Sequence, residues 1–400
     1  VTIEVFGITG TNGKTTVSYM LRSILEEGGR NCGLVGTITH AIGQKEYDAL
    51  NTTPSSEVLK KYFTELESQQ IGTCVMEVSS HGLDQGRIEG IPIHYAGFTN
   101  LTQDHLDYHL TMENYFQAKA KLFYKAERGM VINVDDAYGK RLYEKLLEDQ
   151  RREHIAPEIR IESVSFQDSK ADYFGKLLEN TIEGILLEPF EKGSSWGPVA
   201  ISLPGRTTAY NGMLALALAR QAGLSRETVT AGLRKLKGVP GRFQKIQNNQ
   251  GIHVVVDFAH TPDALENLLK TAGELHDGRL ICVFGCGGNR DREKRPIMGR
   301  IAGNRSGFCL ITSDNPRFEE PIRITEEIEV GVKEAGCPYT VELDRKEAIR
   351  KAIDMYEPGD LIVIAGKGHE KYQLINGKKL PFDDEKAVED IIRERVEKRE

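Results

Sequence analysis

No uninterrupted apolar run in this 400-residue chain approaches the roughly 18 residues of a membrane span, so none is expected. No basic segment followed by an apolar core opens it, so no signal peptide is expected either. Positive charge is not in excess. Lys and Arg number 52 against 59 Asp and Glu, and the net charge of −7 argues against a general nucleic-acid binder. The six cysteines contain no C-x-x-C pair and fall mostly in apolar, strand-like runs, which points to reduced, buried thiols in a cytoplasmic protein. Cys282 and Cys286 have no His or Cys pair nearby to complete a metal site. No short-period repeat and no low-complexity tract appears. At about 150 residues per domain, the length predicts two or three domains.

What is present first is a glycine-rich stretch, Gly7-Ile8-Thr9-Gly10-Thr11-Asn12-Gly13-Lys14-Thr15-Thr16. A β-rich run, residues 1–6, enters it and a helical run, 16–27, leaves it. Strand, glycine turn and helix aim backbone N–H groups and a positive helix end at a phosphate. Lys14 reaches the outer phosphates and the Thr15 hydroxyl suits Mg²⁺. The strict phosphate-loop pattern asks for glycine at position 8, where this chain has isoleucine, so the loop is read as a subtype.

Strand-like runs (31–37, 73–78, 95–99, 130–134) alternate with amphipathic helical runs (55–69, 112–124), which predicts a mostly parallel sheet covered by helices. Short β-like runs at 161–166, 184–189 and 199–203 predict antiparallel strands at its edge, followed by helices over 210–222 and 225–236. Gly238-Val239-Pro240-Gly241 reads as a hinge between a central domain, 1–237, and a C-terminal Rossmann-like α/β domain, 238–400. In the latter, strands are expected at 252–257, 280–285, 307–312, 339–342 and 360–365. Helices are expected near 262–275, 293–303, 321–335, 345–355 and 384–398.

Several turns after strands carry polar groups suited to chemistry. Glu77, in Glu77-Val78-Ser79-Ser80-His81-Gly82-Leu83, is placed to reach a metal near the loop; a loop satisfying its own backbone is the alternative. His105 and His109, four apart, are expected to share a helix face. Their H-L-D-Y-H spacing lacks the glutamate of a zinc protease, so a single His105 ligand or donor at a Mg²⁺–nucleotide site is preferred. Lys119 and Lys121 read as solvated helix residues. Asp257 either accepts ribose hydroxyls or closes a turn, with Thr261 as N-cap and Pro262 at the first helical position. Gly285-Cys286-Gly287-Gly288-Asn289-Arg290 fails the dinucleotide pattern at Arg290, yet suits an anion. Asp314-Asn315-Pro316-Arg317 and Gly366-Lys367-Gly368-His369-Glu370 lie on the same sheet edge. Arg290, Arg317 and Glu370 together suit a ligand with both carboxylate and ammonium groups.

Gly10–Thr16 is similar to the ATP loop of the Mur ligases. Asn51-Thr52-Thr53-Pro54, 77–83, 104–109, Ala118-Lys119, 203–211 and 257–263 resemble further motifs of that family in order. The turns at 285–296, 314–317 and 366–370 resemble the MurE type, the tripeptide synthetases of peptidoglycan assembly. The resemblance implies an ATP-dependent amide ligase that phosphorylates a D-glutamate carboxylate and joins the acyl phosphate to an amine. It implies ATP contacts from Gly10, Thr11, Asn12, Gly13, Lys14, Thr15, Thr16, Asn211, Arg242 and Asp257. Thr15, Glu77 and His105 would lie at Mg²⁺ sites, with Lys119 carbamylated to help hold the metal. Lys14, Lys119 and His105 would be catalytic. Thr52, Thr53, Ser79, Gln85 and Arg87 would hold UDP-muramoyl-dipeptide. Arg290, Asp314, Asn315, Pro316, Arg317, Gly366 and Glu370 would select the amino acid.

Arg317 points to meso-diaminopimelate, because Asp-Asn-Pro-Arg accompanies that amino acid in MurE-type relatives and a second carboxylate needs a cation. Where the family usually has Phe-Asn, glycine and Met-Glu, this chain has Thr207-Thr208, Leu110 and Phe243-Gln244. The chain opens on the strand entering the loop, so the uridine-gripping domain of full-length relatives is expected to be absent from it. The readings weighed are a meso-diaminopimelate-adding ligase, a Mur-type ligase with another acceptor (a pseudomurein-type peptide precursor or a poly-amino-acid chain), and a non-catalytic nucleotide-binding module. No N-K-x-D motif supports a GTPase. A cytoplasmic monomer is expected.

Overall fold

A computed structural model describes residues 2–397. The α/β architecture expected from the alternating runs is present, in two compact units that divide between Lys237 and Gly238. The first carries strands β1 (Glu4–Thr9), β2 (Cys32–Val35), β3 (Thr39–Ile42), β4 (Lys45–Asp48), β5 (Thr73–Glu77), β6 (Ile93–Phe98), β7 (Ala126–Asn133), β8 (Arg160–Ser165), β9 (Tyr173–Thr181), β10 (Gly184–Glu191), β11 (Ser194–Ser195) and β12 (Val199–Ile201). They form one sheet in the order β11-β10-β9-β8-β7-β6-β1-β5-β2-β3-β4, with β12 on β10. From β9 to β2 every pairing is parallel. β5 and β6 are buried along their whole length, as strands covered on both faces by helices must be. Among the covering helices, Lys14–Glu27 and Arg206–Gln221 pack together.

Three expectations are corrected here. β1 runs from Glu4 through Thr9, so Gly7 is a strand residue and the loop proper is Gly10–Gly13; Val1 lies outside the described residues. Leu122 packs against the bare Cα of Gly7, which explains a glycine inside a strand. β8 is parallel to β7, not antiparallel, because the helix Ala137–Arg151 carries the chain back across the sheet before it, and β8 pairs in parallel with β9 as well. Antiparallel pairing starts only between β9 and β10. The helix predicted over 112–124 ends at Ala120 and is followed by a short 3₁₀ turn, Phe123–Lys125.

The second unit holds β13 (Gln244–Lys245), β14 (Val254–Asp257), β15 (Leu280–Phe284), β16 (Phe308–Ile311), β17 (Tyr339–Val341) and β18 (Leu361–Ala365), in the order β13-β14-β18-β15-β16-β17. All are parallel except β13. Strands β19 (Tyr372–Ile375) and β20 (Lys378–Pro381) make a separate hairpin. The last helix is described as Asp384–Glu397, and residue 398 of its expected span lies outside the described residues. Ile281, Val283, Ile362 and Ile364 of the sheet join Ile349, Ile353, Val388 and Ile391 of two helices in the core of this unit. All six cysteines are free and buried. No helix among the described residues is long and apolar enough to cross a membrane.

Candidate functional site

In the first unit the polar residues gather at the carboxyl ends of β1, β5 and β6, where a parallel sheet leaves a crevice. The loop after β1 is clamped from the segment after β6. Asn100 exchanges hydrogen bonds with Asn12, accepting from its backbone N at 3.0 Å and donating to its carbonyl at 3.1 Å. Thr99 Oγ1 donates to the same Asn12 carbonyl at 2.6 Å, and Thr102 N donates to Thr11 Oγ1 at 3.1 Å. Gly10 (φ 145°) and Gly13 (φ 88°) adopt backbone conformations that side chains resist. A Cβ at Gly10 would strike Thr99, and one at Gly13 would strike the Asn211 side-chain amide, so Asn211 sits against the loop. Thr16 is buried on the first turn of the Lys14–Glu27 helix.

Lys14 Nζ donates to the carbonyls of Gly10 and Thr11, both at 2.9 Å. Lys119 Nζ donates to that same Gly10 carbonyl at 2.9 Å, and lies 4.6 Å from the centre of the Tyr115 ring. The reading of Lys119 as solvated is therefore corrected. It is 2% exposed, whereas Lys121 lies outside and pairs with Asp84 at 2.9 Å. The same-face neighbours of Lys119 one turn back, Tyr115 and Phe116, are buried aromatics and were the available signal that this face turns inward. Burial drives the Lys119 pKa well below the usual lysine value, and the charge of Lys14 pushes the same way.

Glu77, at the end of β5, is fully buried. Its carboxylate accepts from Thr15 Oγ1 at 3.0 Å, from Thr37 N at 2.9 Å and from Thr37 Oγ1 at 2.8 Å. Thr37 also meets Thr52 at 3.1 Å, hydroxyl to hydroxyl. Thr53 Oγ1 donates to the Glu77 carbonyl at 3.0 Å and accepts from Ser79 N at 2.9 Å. Arg87 donates to the Thr53 carbonyl at 2.7 Å and to Gln85 Oε1 at 2.9 Å. Thr52, Thr53, Ser79, Gln85 and Arg87 thus form one connected strip beside Glu77. Thr37, which ties the strip to the carboxylate, was not singled out in the sequence; it follows Gly36 with no motif around it.

The two histidines do not share a helix face. The helix is only Leu106–His109, and His105 precedes it in the left-handed region at φ 55°. His109 meets Ser80 Oγ at 2.9 Å and His105 lies 3.3 Å from Asp104, while both rings pack against His81 and Tyr115. Desolvation holds His105 down to about 4, opposed by Asp104 and assisted by His81, Lys14 and Lys119. His81 belongs with the candidates; its place in the 77–83 segment was the available signal.

In the second unit Asp257, at the end of β14, accepts from Phe243 N at 2.7 Å and Ala259 N at 2.8 Å. Burial raises its pKa, and the charge of Arg242 opposes that rise. The Arg242 guanidinium lies 5.0 Å from the centre of the Phe258 ring. The loops after β15, β16 and β18 converge as read from the sequence. Asn315 Nδ2 donates to Glu370 Oε2 at 2.9 Å. Asp314 is 7% exposed; its Oδ1 accepts from Asn315 N at 2.7 Å, and its Oδ2, directed at Gly366, has no hydrogen-bond partner among the described residues. Arg317 (φ 55°) donates from Nη1 to the Gly288 carbonyl at 2.9 Å, and Pro316 packs its carbonyl on Gly288. Burial, followed by the charge of Arg290, lowers the Arg317 pKa. Arg290 itself is exposed.

Fit to a divalent ion is decided by the donor set. Among the described residues no group of three or more His, Cys, Asp and Glu gathers as a metal cage. Mg²⁺ needs none: it keeps several waters and takes one or two carboxylates with substrate phosphates. The buried Glu77 carboxylate and the Thr15 hydroxyl are hard oxygen donors beside a phosphate-type loop, and they fit it.

Comparison with known proteins gives a consistent result. The Mur ligase middle domain family matches residues 8–219, and the Mur ligase glutamate ligase domain family matches 241–368. A UDP-N-acetylmuramoyl-L-alanyl-D-glutamate--2,6-diaminopimelate ligase of Alkaliphilus oremlandii is 43% identical over 98% of this chain and 78% of the relative. An enzyme of the same name from Clostridium acetobutylicum is also 43% identical, with the same coverage. A solved structure of a ligase of that name superposes with TM-score 0.68 at 35% identity, over 99% of this chain and 79% of the other. A pseudomurein peptide ligase type C from Methanothermus fervidus shares the fold at TM-score 0.70 and 18% identity, over 98% and 79%.

Proposed function

Because the chain belongs to the Mur ligase family, we propose that its two clusters serve one reaction. It is an ATP-dependent amide ligase that adds meso-diaminopimelate to UDP-N-acetylmuramoyl-L-alanyl-D-glutamate in peptidoglycan precursor synthesis. The observation that carries the site assignment is the meeting of Lys14 and Lys119 on the Gly10 carbonyl, with Thr15 on Glu77 in the same crevice.

The chemistry has two steps. The D-glutamate carboxylate attacks the γ-phosphorus of ATP, giving an acyl phosphate and ADP. The amine then attacks the acyl carbon, and the tetrahedral intermediate expels phosphate as the amine gives up its proton. Phosphoryl transfer is mostly positioning and charge neutralisation. The positive end of the Lys14–Glu27 helix and the Lys14 ammonium supply both for the phosphates. Mg²⁺, when bound, neutralises charge on the transferring phosphoryl group; Thr15 and Glu77 would hold it, with His105 nearby. Burial lowers the Lys119 pKa, which favours the free amine that reacts with CO₂, and carbamylation would turn it into a carboxylate on the same site. Thr52, Thr53, Ser79, Gln85 and Arg87 would bind the muramoyl peptide, and Asn211, Arg242 and Asp257 the nucleotide. Arg290, Asp314, Asn315, Pro316, Arg317, Gly366 and Glu370 would select the amino acid. Facing an L-lysine ammonium, Arg317 would repel it. The same reading takes the protein as a cytoplasmic monomer.

The test is phosphate release with ATP, Mg²⁺ and the UDP-muramoyl-dipeptide. Release is expected with meso-diaminopimelate and not with L-lysine. Equal rates with both amino acids reject the selectivity, and ATP binding without turnover rejects the enzyme.

A further inference from the structure

We infer that Lys367 is a positioning residue that sets amino-acid specificity, an inference that rests on the ligase reading above. A lysine with 0% of its side chain exposed needs a reason, since burying an ammonium is costly unless it is paired and hydrogen-bonded. Its Nζ donates to Glu370 Oε2 at 2.9 Å and to Asn315 Oδ1 at 3.2 Å. Asn315 Oδ1 also accepts from Leu374 N at 2.9 Å. Two donors on one oxygen fix which way the amide faces, so Nδ2 must point at Glu370 Oε2, and does so at 2.9 Å. Glu370 Oε2 is therefore filled by two donors from the protein. Oε1 has no hydrogen bond among the described residues, on a side chain 20% exposed, and is the oxygen offered to an incoming ammonium.

The second pole of the site hangs on the same strand. Arg317 N donates to the Leu374 carbonyl at 2.8 Å, and Asn376 N donates to the Arg317 carbonyl at 2.6 Å. β19 thus holds Arg317, the cation for a carboxylate, at a fixed register from the Lys367–Asn315–Glu370 network, the anion for an ammonium. Lys367 offsets the charge of Glu370. The remaining pull on an ammonium is weak by itself and suffices only for a ligand that also brings Arg317 a carboxylate. A zwitterionic far end meets that condition and a bare ammonium does not. Lys367 touches neither partner of the reaction; it acts through Glu370 and Asn315.

The experiment measures wild type, Lys367→Met and Lys367→Gln by phosphate release with meso-diaminopimelate and with L-lysine, alongside melting curves. Lys367→Met is expected to raise KM for meso-diaminopimelate about tenfold or more, with kcat within about threefold and KM for ATP unchanged. The kcat/KM preference for meso-diaminopimelate over L-lysine is expected to fall about tenfold or more, because Glu370 regains its full charge. Lys367→Gln keeps a donor without the charge, so it should recover part of the KM while the preference stays low. An unchanged KM and preference in a folded Lys367→Met protein overturns the inference. So does a fall in kcat alone, or loss of folding in both variants, which would make Lys367 purely structural. A wild type that releases no phosphate with meso-diaminopimelate rejects the ligase reading itself and the inference with it, an outcome distinct from all the others.

Discussion

Lys14, at the start of one helix, and Lys119, on another helix more than a hundred residues away, approach one carbonyl oxygen. Lys14→Ala removes the charge aimed at the phosphates and should lower kcat at least about 100-fold, measured by phosphate release. Arg317→Ala should act elsewhere in the cycle. Losing one charged hydrogen-bonding partner costs about 1.5–3 kcal/mol, so KM for meso-diaminopimelate should rise roughly 10- to 100-fold with kcat little changed. His40 gives a pH signature unrelated to catalysis. It is 2% exposed, its Nδ1 has no hydrogen-bond partner among the described residues, and burial lowers its pKa from 6.5 to about 4. Between those values the unfolded chain binds a proton that the native one refuses. Stability therefore falls as pH drops from 6.5 to about 4, by up to about 3 kcal/mol, and His40→Leu should flatten that slope in denaturant titrations. At this scale the sequence showed which residue types follow which strands, and so Glu77, Arg317 and Glu370 were legible. Tyr115 and Phe116 mark the inward face of the helix, but that Lys119 on that face, and Lys367 elsewhere, are enclosed depends on which element packs on top.

The helix that carries Lys119, Met112–Ala120, is too short to be stable alone and begins on a capped turn. Thr111 Oγ1 accepts from Asn114 N at 3.1 Å. In the second unit Thr261 Oγ1 likewise accepts from Ala264 N at 3.3 Å ahead of Pro262. Each Thr→Ala change should cost about 1 kcal/mol in chemical denaturation. Only Thr111→Ala should also impair turnover, since it loosens the element holding Lys119. The cap at Thr261 was readable because proline marks the first helical position, and β15, β16 and β18 were readable because each is an unbroken apolar run next to a glycine. Direction was harder. Ile161 to Ser165 has the same composition in a parallel or an antiparallel setting, and the helix Ala137–Arg151 decides between them. The β3–β4 hairpin escaped notice altogether: four exposed or half-exposed residues, Lys45–Asp48, form β4 and leave no apolar signature.

At the scale of the whole molecule, each unit has its own hydrophobic core, one around Val5, Met76, Ala96 and Ile132, the other around Ile281, Val283, Ile362 and Ile364. Thermal unfolding should accordingly show two transitions by calorimetry, and ATP should shift at least one of them upward. A single transition unaffected by ATP would contradict this. Lys119 adds a consequence that only a whole-molecule balance reveals. Burial weakens the hold of the Lys119 amine on its proton, and the negative charge of arriving nucleotide tightens that hold. Binding by the free-amine protein is then expected to draw protons from the buffer, whereas a carbamylated Lys119 offers no amine to protonate. Nucleotide titrations in two buffers of different ionisation heat should therefore give different apparent binding enthalpies for the first form and matching ones for the second, so the heat released on binding reports the chemical state of one side chain.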